Sequence, residues 1–418
     1  MAGGLMQLVA YGAQDVYLTG NPKVTFFQAV YKRHTNFAME NIEQTVNGTA
    51  AAGGRVSVTV ARNGDLISDM YVELQCAGAP GITKDAWIAE SAISTVELSI
   101  GGQRIDKHYQ KWWRLYAELY MDEATKLNYG KMTSATIDNE KVFLPLIFFF
   151  NRNPGLALPL IALQYHEVRI DIDLADGYAN FDSLKVWGNY IYLDTEERRR
   201  FAQKGHEYLI EQVQHTGSDS LASSPGATKQ IRLSYNHPVK ELVWCATESS
   251  NVVGDANGVW NFTDTAVTLS AAAGAVSVSN ALVSTSGSGA PQLVVDNTTQ
   301  FDEETSGPLD SFKLVLNGQD RFKEQGGKYF NSVQPFVHHS ASPMPGVYAY
   351  SFALKPEEHQ PTGTCNFSRI DNAQVSISVK GASSPRASAS DKNTLNMFAT
   401  NYNVLRIQSG MGGLAFSN

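Results

Sequence analysis

Cysteine and charge are both scarce in this chain, and each shortage excludes a class of protein. The three cysteines, Cys76, Cys245 and Cys365, are far apart and odd in number, so they predict reduced thiols rather than a disulfide-stapled secreted scaffold. Charged residues make up 18% of the chain, and the formal net charge is −8. Direct nucleic-acid binding is not expected, because phosphate recognition needs a basic face.

Long apolar runs and targeting signals are also missing. The most apolar run, residues 142–150, is too short to span a bilayer and is followed by Asn151. The first residues contain no basic region followed by a long apolar segment, and Ala2 stands where an N-myristoylated chain has glycine. The sequence therefore predicts a soluble chain.

Motifs for catalysis and metal binding are absent as well. The sequence contains no Gly-x-Ser-x-Gly elbow, no phosphate-binding loop and no dinucleotide-binding motif. His166-Glu167 lacks the second histidine of a zinc-protease helix, and the neighbours His338 and His339 are expected to point to opposite faces of a strand. We therefore expect no catalytic residue, no cofactor and no metal site.

Alternating apolar residues, which are typical of β-strands, are abundant. Such segments occur at residues 55–60, 70–76, 95–100, 168–174, 240–245, 312–316, 348–354 and 373–379. Helical pattern is confined to residues 111–120 and 195–211, with Thr195 as the expected N-cap of the second helix. A chain of this length is expected to form two domains.

Two pairs of segments indicate an internal repeat. Residues 97–104 and 313–321 each carry an apolar strand that ends at a glycine turn, followed by Gln, Arg and an aromatic cluster. Residues 166–174 and 369–379 form a second matching pair. A period of about 200 residues predicts a duplicated β-sandwich, although an all-β chain also produces such pairings by chance.

Composition predicts the boundaries of these units. We expect an N-terminal arm over residues 1–25, a first sandwich over 26–214, a Ser- and Gly-rich linker over 215–228 and a second sandwich over 229–418. Residues 249–307, which are rich in small polar residues, are expected to form a long exposed loop of the second unit.

The arm is too apolar for a free tail, so we expect it to contact either its own first sandwich or a neighbouring chain. The apolar residues concerned are Leu5, Leu8, Val9, Tyr11, Val16, Tyr17 and Leu18.

Asn-x-Ser/Thr triplets begin at Asn47, Asn261, Asn297 and Asn366. Asn297 and Asn261 lie in the long polar segment and are the better glycan acceptors, whereas Asn366 is expected to be structural.

Four segments of the chain resemble one known family. They are residues 3–37, residues 144–168 (which begin Leu144-Pro-Leu-Ile-Phe-Phe-Phe-Asn-Arg-Asn-Pro-Gly), residues 366–372 (Asn-Phe-Ser-Arg-Ile-Asp-Asn) and residues 401–416. These segments span nearly the whole chain in the expected order. The chain thereby resembles the major capsid proteins of large icosahedral DNA viruses, above all those of the chlorella viruses.

The resemblance implies an all-β fold of two consecutive eight-stranded antiparallel jelly-roll sandwiches, a double jelly roll, with a few short helices in loops. It also implies a structural protein without catalysis, three copies of which form a pseudo-hexagonal capsomer of an icosahedral shell. The implied partners are neighbouring capsomers, minor capsid proteins beneath the shell and N-linked glycans. The implied location is the virion, assembled in the host cytoplasm, with the arm at the inner side of the capsid.

Glycosylation by virus-encoded enzymes, which the resemblance also implies, need not respect the triplet and adds Asn280 as a candidate. Two alternatives remain at this stage: a carbohydrate- or receptor-binding jelly-roll spike protein, and a vertex-specific capsid paralogue.

Overall fold

The computed structural model describes residues 3–76, 87–135, 140–176, 181–221, 227–247, 262, 282–284, 292–294, 307–380 and 394–416. The chain divides into two compact units, residues 1–36 and residues 37–418. The small unit contains the short helices α1 (Gly3–Val9) and α2 (Val16–Thr19), neither of which has a buried residue. The large unit contains the strands.

The first half of the large unit forms two antiparallel sheets. Its strands are β1 (Phe37–Gln44), β2 (Val46–Asn47), β3 (Arg55–Thr59), β4 (Leu66–Cys76), β5 (Ile93–Ile100), β6 (Gln103–Tyr109), β7 (Lys141–Pro145), β8 (Leu158–Pro159), β9 (Val168–Leu174) and β10 (Phe181–Leu193). One sheet has the order β1-β10-β4-β7, with β8 also beside β4, and the other has the order β2-β3-β9-β5-β6.

The second half repeats this arrangement. Its strands are β11 (His206–Ser220), β12 (Lys229–Leu233), β13 (Pro238–Thr247), β14 (Leu282–Ser284), β15 (Gln292–Val294), β16 (Leu309–Leu316), β17 (Gln319–Asp320), β18 (Val347–Ser351), β19 (Cys365–Asn366), β20 (Ala373–Val379), β21 (Thr394–Gln408) and β22 (Met411–Leu414). One sheet has the order β11-β21-β13-β18, with β19 beside β13 and β22 beside β21, and the other has the order β12-β20-β16-β17. Strands β14 and β15 form a separate hairpin.

The two halves have the same topology. In chain order, β1, β3, β4, β5, β6, β7, β9 and β10 correspond to β11, β12, β13, β16, β17, β18, β20 and β21, and every neighbour in the two main sheets is preserved. Eight antiparallel strands that pair first-eighth-third-sixth and second-seventh-fourth-fifth form a jelly roll. The predicted fold class and the predicted duplication are therefore both confirmed.

The same type of turn joins β5 to β6 and β16 to β17, which explains why residues 97–104 and 313–321 match in sequence. The β5–β6 turn has positive φ angles at Gly101 (58°) and Gly102 (82°), and the β16–β17 turn has them at Asn317 (49°) and Gly318 (80°). Two consecutive positive φ angles are typical of a type I′ hairpin turn, which favours glycine and asparagine. The repeated Gly-Gly and Asn-Gly pairs are therefore required by the backbone.

Short helices fill the connections between strands. They are α3 (Ile88–Ala92), α4 (Gln110–Tyr120), α5 (Glu123–Thr133), α6 (Phe149–Arg152), α7 (Thr195–Gln203) and α8 (Gln334–His338), together with a π turn (Tyr329–Val333) and 3₁₀ turns at Pro154–Leu156 and Phe367–Arg369. Helix α4 confirms the helix predicted over residues 111–120. No helix in the described part of the chain is long and apolar enough to cross a membrane.

Four sequence-based expectations need correction. The helix predicted over 195–211 ends at Gln203, and the chain continues as strand β11; its N-cap is Asp194 rather than Thr195. His338 ends helix α8, which has a proline in its first turn, so the expected strand at this histidine pair is wrong.

The structure also bears on the linker expected over residues 215–228 and on the loop expected over residues 249–307. Residues 215–220, expected to begin a linker, are the end of β11, because they pair with β21. Within residues 249–307, expected to form a long exposed loop, the structure describes the short strands β14 and β15, and most of the other residues lie outside the described part of the chain. The division into domains stays a prediction.

Two large hydrophobic clusters fill the interior. One is the core of the second sandwich, in which the Trp244 and Phe312 rings stack with centroids 4.3 Å apart. The other is the core of the first sandwich, and it extends to Val243, Cys245 and Phe398 of the second. The extension marks where the two sandwiches join.

Candidate functional site

The junction between the two sandwiches is built on the outer face of the β11-β21-β13-β18 sheet. Alternate residues of β13 point to opposite faces, so Leu242 and Trp244 enter the core of their own sandwich, whereas Val243 and Cys245 join the core of the first. Every residue of β13 from Val239 to Thr247 is buried. Both faces of this strand are therefore covered.

Helix α4 covers this sheet from the side of the first sandwich. Its two adjacent tryptophans are both buried. The ring of Trp112 lies 5.6 Å from the ring of Phe398 in β21, whereas the indole N–H of Trp113 donates to the carbonyl oxygen of Pro145 at 3.3 Å. Helix α4 is therefore packed between the two sandwiches.

Hydrogen bonds of buried polar groups also cross the junction. The side-chain amide of Gln212 donates to the carbonyl oxygen of Ile105, and the backbone N–H of Val213 donates to Asp106 Oδ1 at 3.0 Å. Asp106 Oδ2 also lies 3.0 Å from Nε2 of the buried His108. These bonds tie β11 to β6.

A buried ionic cluster holds α3, α4 and α5 together. Arg114 Nη2 lies 3.1 Å from Glu118 Oε1, and Arg114 Nη1 lies 3.6 Å from Glu90 Oε1. Lys126 Nζ lies 3.5 Å from Glu118 Oε2. Burial raises the pKa of Glu90 to about 7, against the opposing effect of Arg114.

The same cluster reaches the second sandwich through backbone contacts. Lys126 Nζ donates to the carbonyl oxygen of Ser342 at 3.0 Å, and the backbone N–H of Met344 donates to Glu118 Oε2 at 3.1 Å. The segment that precedes β18 is therefore fixed against the helices of the first sandwich.

A second cluster centres on Glu211 of β11. Glu211 Oε1 lies 2.7 Å from Lys240 Nζ, and Glu211 Oε2 lies 3.0 Å from Nη1 of Arg152, which belongs to α6 of the first sandwich. Burial acts to raise the pKa of Glu211, but Arg152 and Lys240 outweigh it and hold the pKa below its ordinary value.

A third cluster centres on His339. Its Nε2 lies 2.5 Å from Glu241 Oε1, and its Nδ1 lies 3.3 Å from Glu357 Oε1. The hydroxyl of Tyr120, from α4, donates to the other oxygen of Glu241. Burial acts to lower the pKa of His339, but the two carboxylates outweigh it and raise the pKa to about 9. The ring is therefore charged at neutral pH.

These clusters position the two sandwiches rather than catalyse a reaction. Each centres on ions paired with opposite charges, and within the described residues no group of His, Cys, Asp and Glu is placed to hold a metal ion. A buried ion pair adds little net stability, but removing one partner is costly. The junction therefore fixes how the two sandwiches are oriented.

The corresponding sheet of the first sandwich has no such cover. In β1 only Gln44 is buried, and Met39 is 52% exposed. Apart from the small cluster that Leu66, Ala157 and Ile191 form with Phe201 of α7, the outer face of the β1-β10-β4-β7 sheet is therefore open in the single chain.

An apolar helical surface is also open. Val333, Phe336 and Val337 are 46%, 87% and 61% exposed, and the neighbouring Leu354 is 73% exposed. Large exposed apolar patches mark interaction sites.

The arm residues selected from the sequence are accessible in the small unit. All seven apolar side chains are between 51% and 92% exposed. What covers them stays a prediction.

The glycan candidates Asn261, Asn280 and Asn297 lie outside the described residues. Asn47 and Asn366 are exposed strand residues, and the Asn366 side chain accepts a hydrogen bond from the backbone N–H of Ser368.

Cys245 and Cys365 form no disulfide in the described part of the chain, and Cys245 is buried. The predicted reduced state is not tested for Cys76.

Sequence reasoning missed the buried ionic clusters. Lys240 and Glu241 stand inside an apolar strand segment, which was an available signal of buried charge. Their partners come from distant parts of the chain, and the sequence alone does not identify them.

Comparisons with known proteins agree with this architecture. The family model described as "Major capsid protein N-terminus" matches residues 25–194, and the one described as "Large eukaryotic DNA virus major capsid protein" matches residues 197–413. The two matches meet at the start of helix α7, between the sandwiches.

Individual relatives cover the whole chain. It is 48% identical to the major capsid protein of Paramecium bursaria Chlorella virus 1 over 458 residues and 42% identical to that of Pyramimonas orientalis virus over 462 residues, with 100% of each chain covered in both cases.

Solved structures show the same fold. The chain superposes on the quasi-atomic model of the PBCV-1 virus capsid with a TM-score of 0.78 and 41% identity, covering 94% of this chain and 100% of that one. The Faustovirus major capsid protein shares the fold with a TM-score of 0.68 at 12% identity, covering 97% of this chain and 96% of that one. The chain therefore belongs to the major capsid proteins of large eukaryotic DNA viruses, and it is a structural protein of the virion rather than an enzyme.

Proposed function

We propose that three copies of this chain form a closed, pseudo-hexagonal capsomer, and that such capsomers tile an icosahedral shell. The observation that carries this proposal is the repetition of one fold within the chain. Two equivalent sandwiches per chain provide six similar positions in three chains. One contact between equivalent sandwiches is already made inside the chain, and a head-to-tail contact that repeats forms a ring when its rotation closes.

The buried junction supports a rigid building block. The ionic clusters around Arg114, Glu211 and His339 join the sandwiches at separate points, through the contacts of Lys126 with Ser342, of Arg152 with Glu211 and of Tyr120 with Glu241. A tile needs a constant angle between its parts, because an error in that angle accumulates over many copies in a shell.

The arm joins the large unit at the start of β1, whereas the long segment 248–306 follows the end of β13. β1 begins at Phe37, which pairs with Leu193, and the equivalent strand β11 begins at His206, which pairs with Ile407 near the end of β21. Thr247, from which the long segment departs, pairs with Thr394 at the start of β21.

From this polarity we propose an inner side that carries the arm and contacts minor capsid proteins. The opposite, outer side carries the long segment and any N-linked glycans. Assembly in the reducing host cytoplasm fits Cys245 and Cys365, which form no disulfide in the described part of the chain.

Light scattering on purified chain is the direct test. The chain mass is 45.7 kDa, and the expected result is about three chain masses. A stable monomer at micromolar concentration contradicts the capsomer. A cryo-EM map of the particle would then show whether this chain fills the shell faces or the vertices.

A further inference from the structure

We infer that the exposed helical surface of one copy binds the open outer face of the first sandwich of a second copy. The helical surface consists of Val333, Phe336, Val337 and Leu354 and is called the helical patch. The receiving surface, the outer face of strands β1, β10, β4 and β7, is called the open sheet face. This inference rests on the proposed capsomer and assigns the residues of its subunit contact.

The helical patch and helix α4 occupy equivalent connections. Helices α4 and α5 lie between β6 and β7, whereas the π turn and α8 lie between the corresponding strands β17 and β18. In the first sandwich, this connection packs on the neighbouring sandwich, with Trp112 against Phe398 and Tyr120 bonded to Glu241. In the second sandwich, the same connection has no sandwich against its outer side in the single chain.

The patch is one face of a helical segment. Val333, Phe336 and Val337 have the spacing i, i+3 and i+4, which places them side by side. Leu354 adjoins them, because its carbonyl oxygen lies 3.0 Å from His338 Nδ1. The other side of the segment is fixed on its own sandwich, where Gln334 Oε1 accepts from the backbone N–H of Ser351 at 3.2 Å.

The open sheet face belongs to the first sandwich. Its equivalent in the second sandwich is the sheet face that helix α4 covers. In β13 the outward residues Val243 and Cys245 are buried by the first sandwich. In β4, Met70, Val72 and Leu74 enter the core, so the alternate residues Tyr71 and Glu73 point outward. The equivalent face thus lacks its cover in the single chain.

The side chains of the open sheet face suit a protein interface. The rings of Tyr71 and Phe143 meet edge to face at 5.8 Å, and the indole N–H of Trp187 donates to Glu73 at 2.9 Å. Aromatic residues are enriched at interfaces, where their polar ends find partners.

Two pairs of opposite charges lie within this face, and the carboxylate of Asp69 accepts a hydrogen bond from the side-chain amide of Asn189 at 3.4 Å. Lys141 Nζ lies 2.8 Å from Glu73 Oε1, and Lys185 Nζ lies 3.1 Å from Glu43 Oε2. An apolar patch can therefore cover these two ion pairs without isolating either charge of a pair, which would be costly.

The occupant must be a second copy rather than the same chain. Phe336 of the patch and Met39 of the open sheet face are 87% and 52% exposed in the same molecule, so the two surfaces do not cover each other there. A contact between two different surfaces is a head-to-tail contact. In a closed ring each subunit makes this contact with the next one.

Site-specific photo-crosslinking tests this contact. Phe336 is replaced by p-benzoylphenylalanine in a mixture of isotopically heavy and light chains, and cross-linked peptides are identified by mass spectrometry. We expect heavy–light cross-links to peptides of β1, β10, β4 or β7. The same photo-crosslinker at Tyr165, which is 74% exposed and outside the patch, is the matched control and should not label these strands.

The outcomes separate the inference from the proposed function. A mass of three chains with Phe336 cross-links elsewhere, or only within one chain, overturns the inference and leaves the capsomer standing. Absence of any three-chain species overturns both.

Charge substitutions give a second, independent readout. We expect Val337→Asp on the patch and Met39→Asp on the open sheet face each to raise the concentration at which the trimer half-dissociates by at least about tenfold. The melting temperature of the dissociated chain should not change, because both side chains are exposed. Tyr165→Asp is the control, and trimers of the Val337 variant as stable as those of the control contradict the inference.

Discussion

The charged histidine of the junction makes stability depend on pH in a predictable direction. His339 is buried between Glu241 and Glu357, and these carboxylates raise its pKa to about 9. In the unfolded chain the pKa of a histidine is about 6.5. A group whose pKa is higher in the folded state stabilises the fold fully below its unfolded pKa, and that contribution is lost as pH rises through the folded pKa. The loss should therefore occur between about pH 6.5 and 9.

The magnitude follows from the difference between the two pKa values. Since one pKa unit corresponds to about 1.4 kcal/mol, the charged ring contributes about 3 kcal/mol to the free energy of unfolding. The large unit spans residues 37–418, and a unit of about 380 residues has an unfolding entropy near its midpoint of about 0.8 kcal/mol per kelvin. The contribution therefore corresponds to about 4 °C in melting temperature.

The assay compares the chain with His339→Gln, which keeps a polar side chain but cannot become charged. Melting temperatures are measured at intervals between pH 6 and 10, and the difference between the two proteins isolates the histidine from other titrating groups. We expect the variant to melt about 4 °C lower at pH 6 and the difference to close by pH 10. A difference that stays constant or widens as pH rises refutes the reasoning.

Three further predictions follow from the junction, the arm and the outer segment. Trp112→Ala should cost about 3–5 kcal/mol, because it opens a cavity between α4 and the second sandwich, and denaturant unfolding measures the loss; a cost below about 1 kcal/mol contradicts that packing. Deleting residues 1–25 should leave the melting transition intact and stop shell assembly in electron micrographs, whereas a collapsed transition would make the arm part of the core. Glycopeptide mapping of virions should find sugars on Asn297 and Asn261 first and on Asn280 next, and sugars confined to the first sandwich would reverse the proposed outer side.

Local patterns predicted the elements whose conformation depends on neighbouring residues. The turn after β5 could be predicted because Gly101 and Gly102 both need positive φ angles. Helix α4 could be predicted because its apolar residues recur at helical spacing. The helix expected over residues 195–211 was wrong in its second part, since residues from His206 onward pair with β21, about 190 residues later in the chain. Strand pairing at that distance overrode the local pattern.

The sequence by itself determined the alternating strands, the repeated turn chemistry, the resemblance to capsid proteins and the scarcity of charge. Each of these is a property of residue types at short spacing. Only the tertiary structure decided which charged and polar groups are buried together, because Arg152 meets Glu211 and Tyr120 meets Glu241 across the junction. It also decided which of two equivalent sheets is covered and which is open. Both sheets alternate in the same way along the chain, and a strand's outer face is buried or exposed according to what packs on it in space.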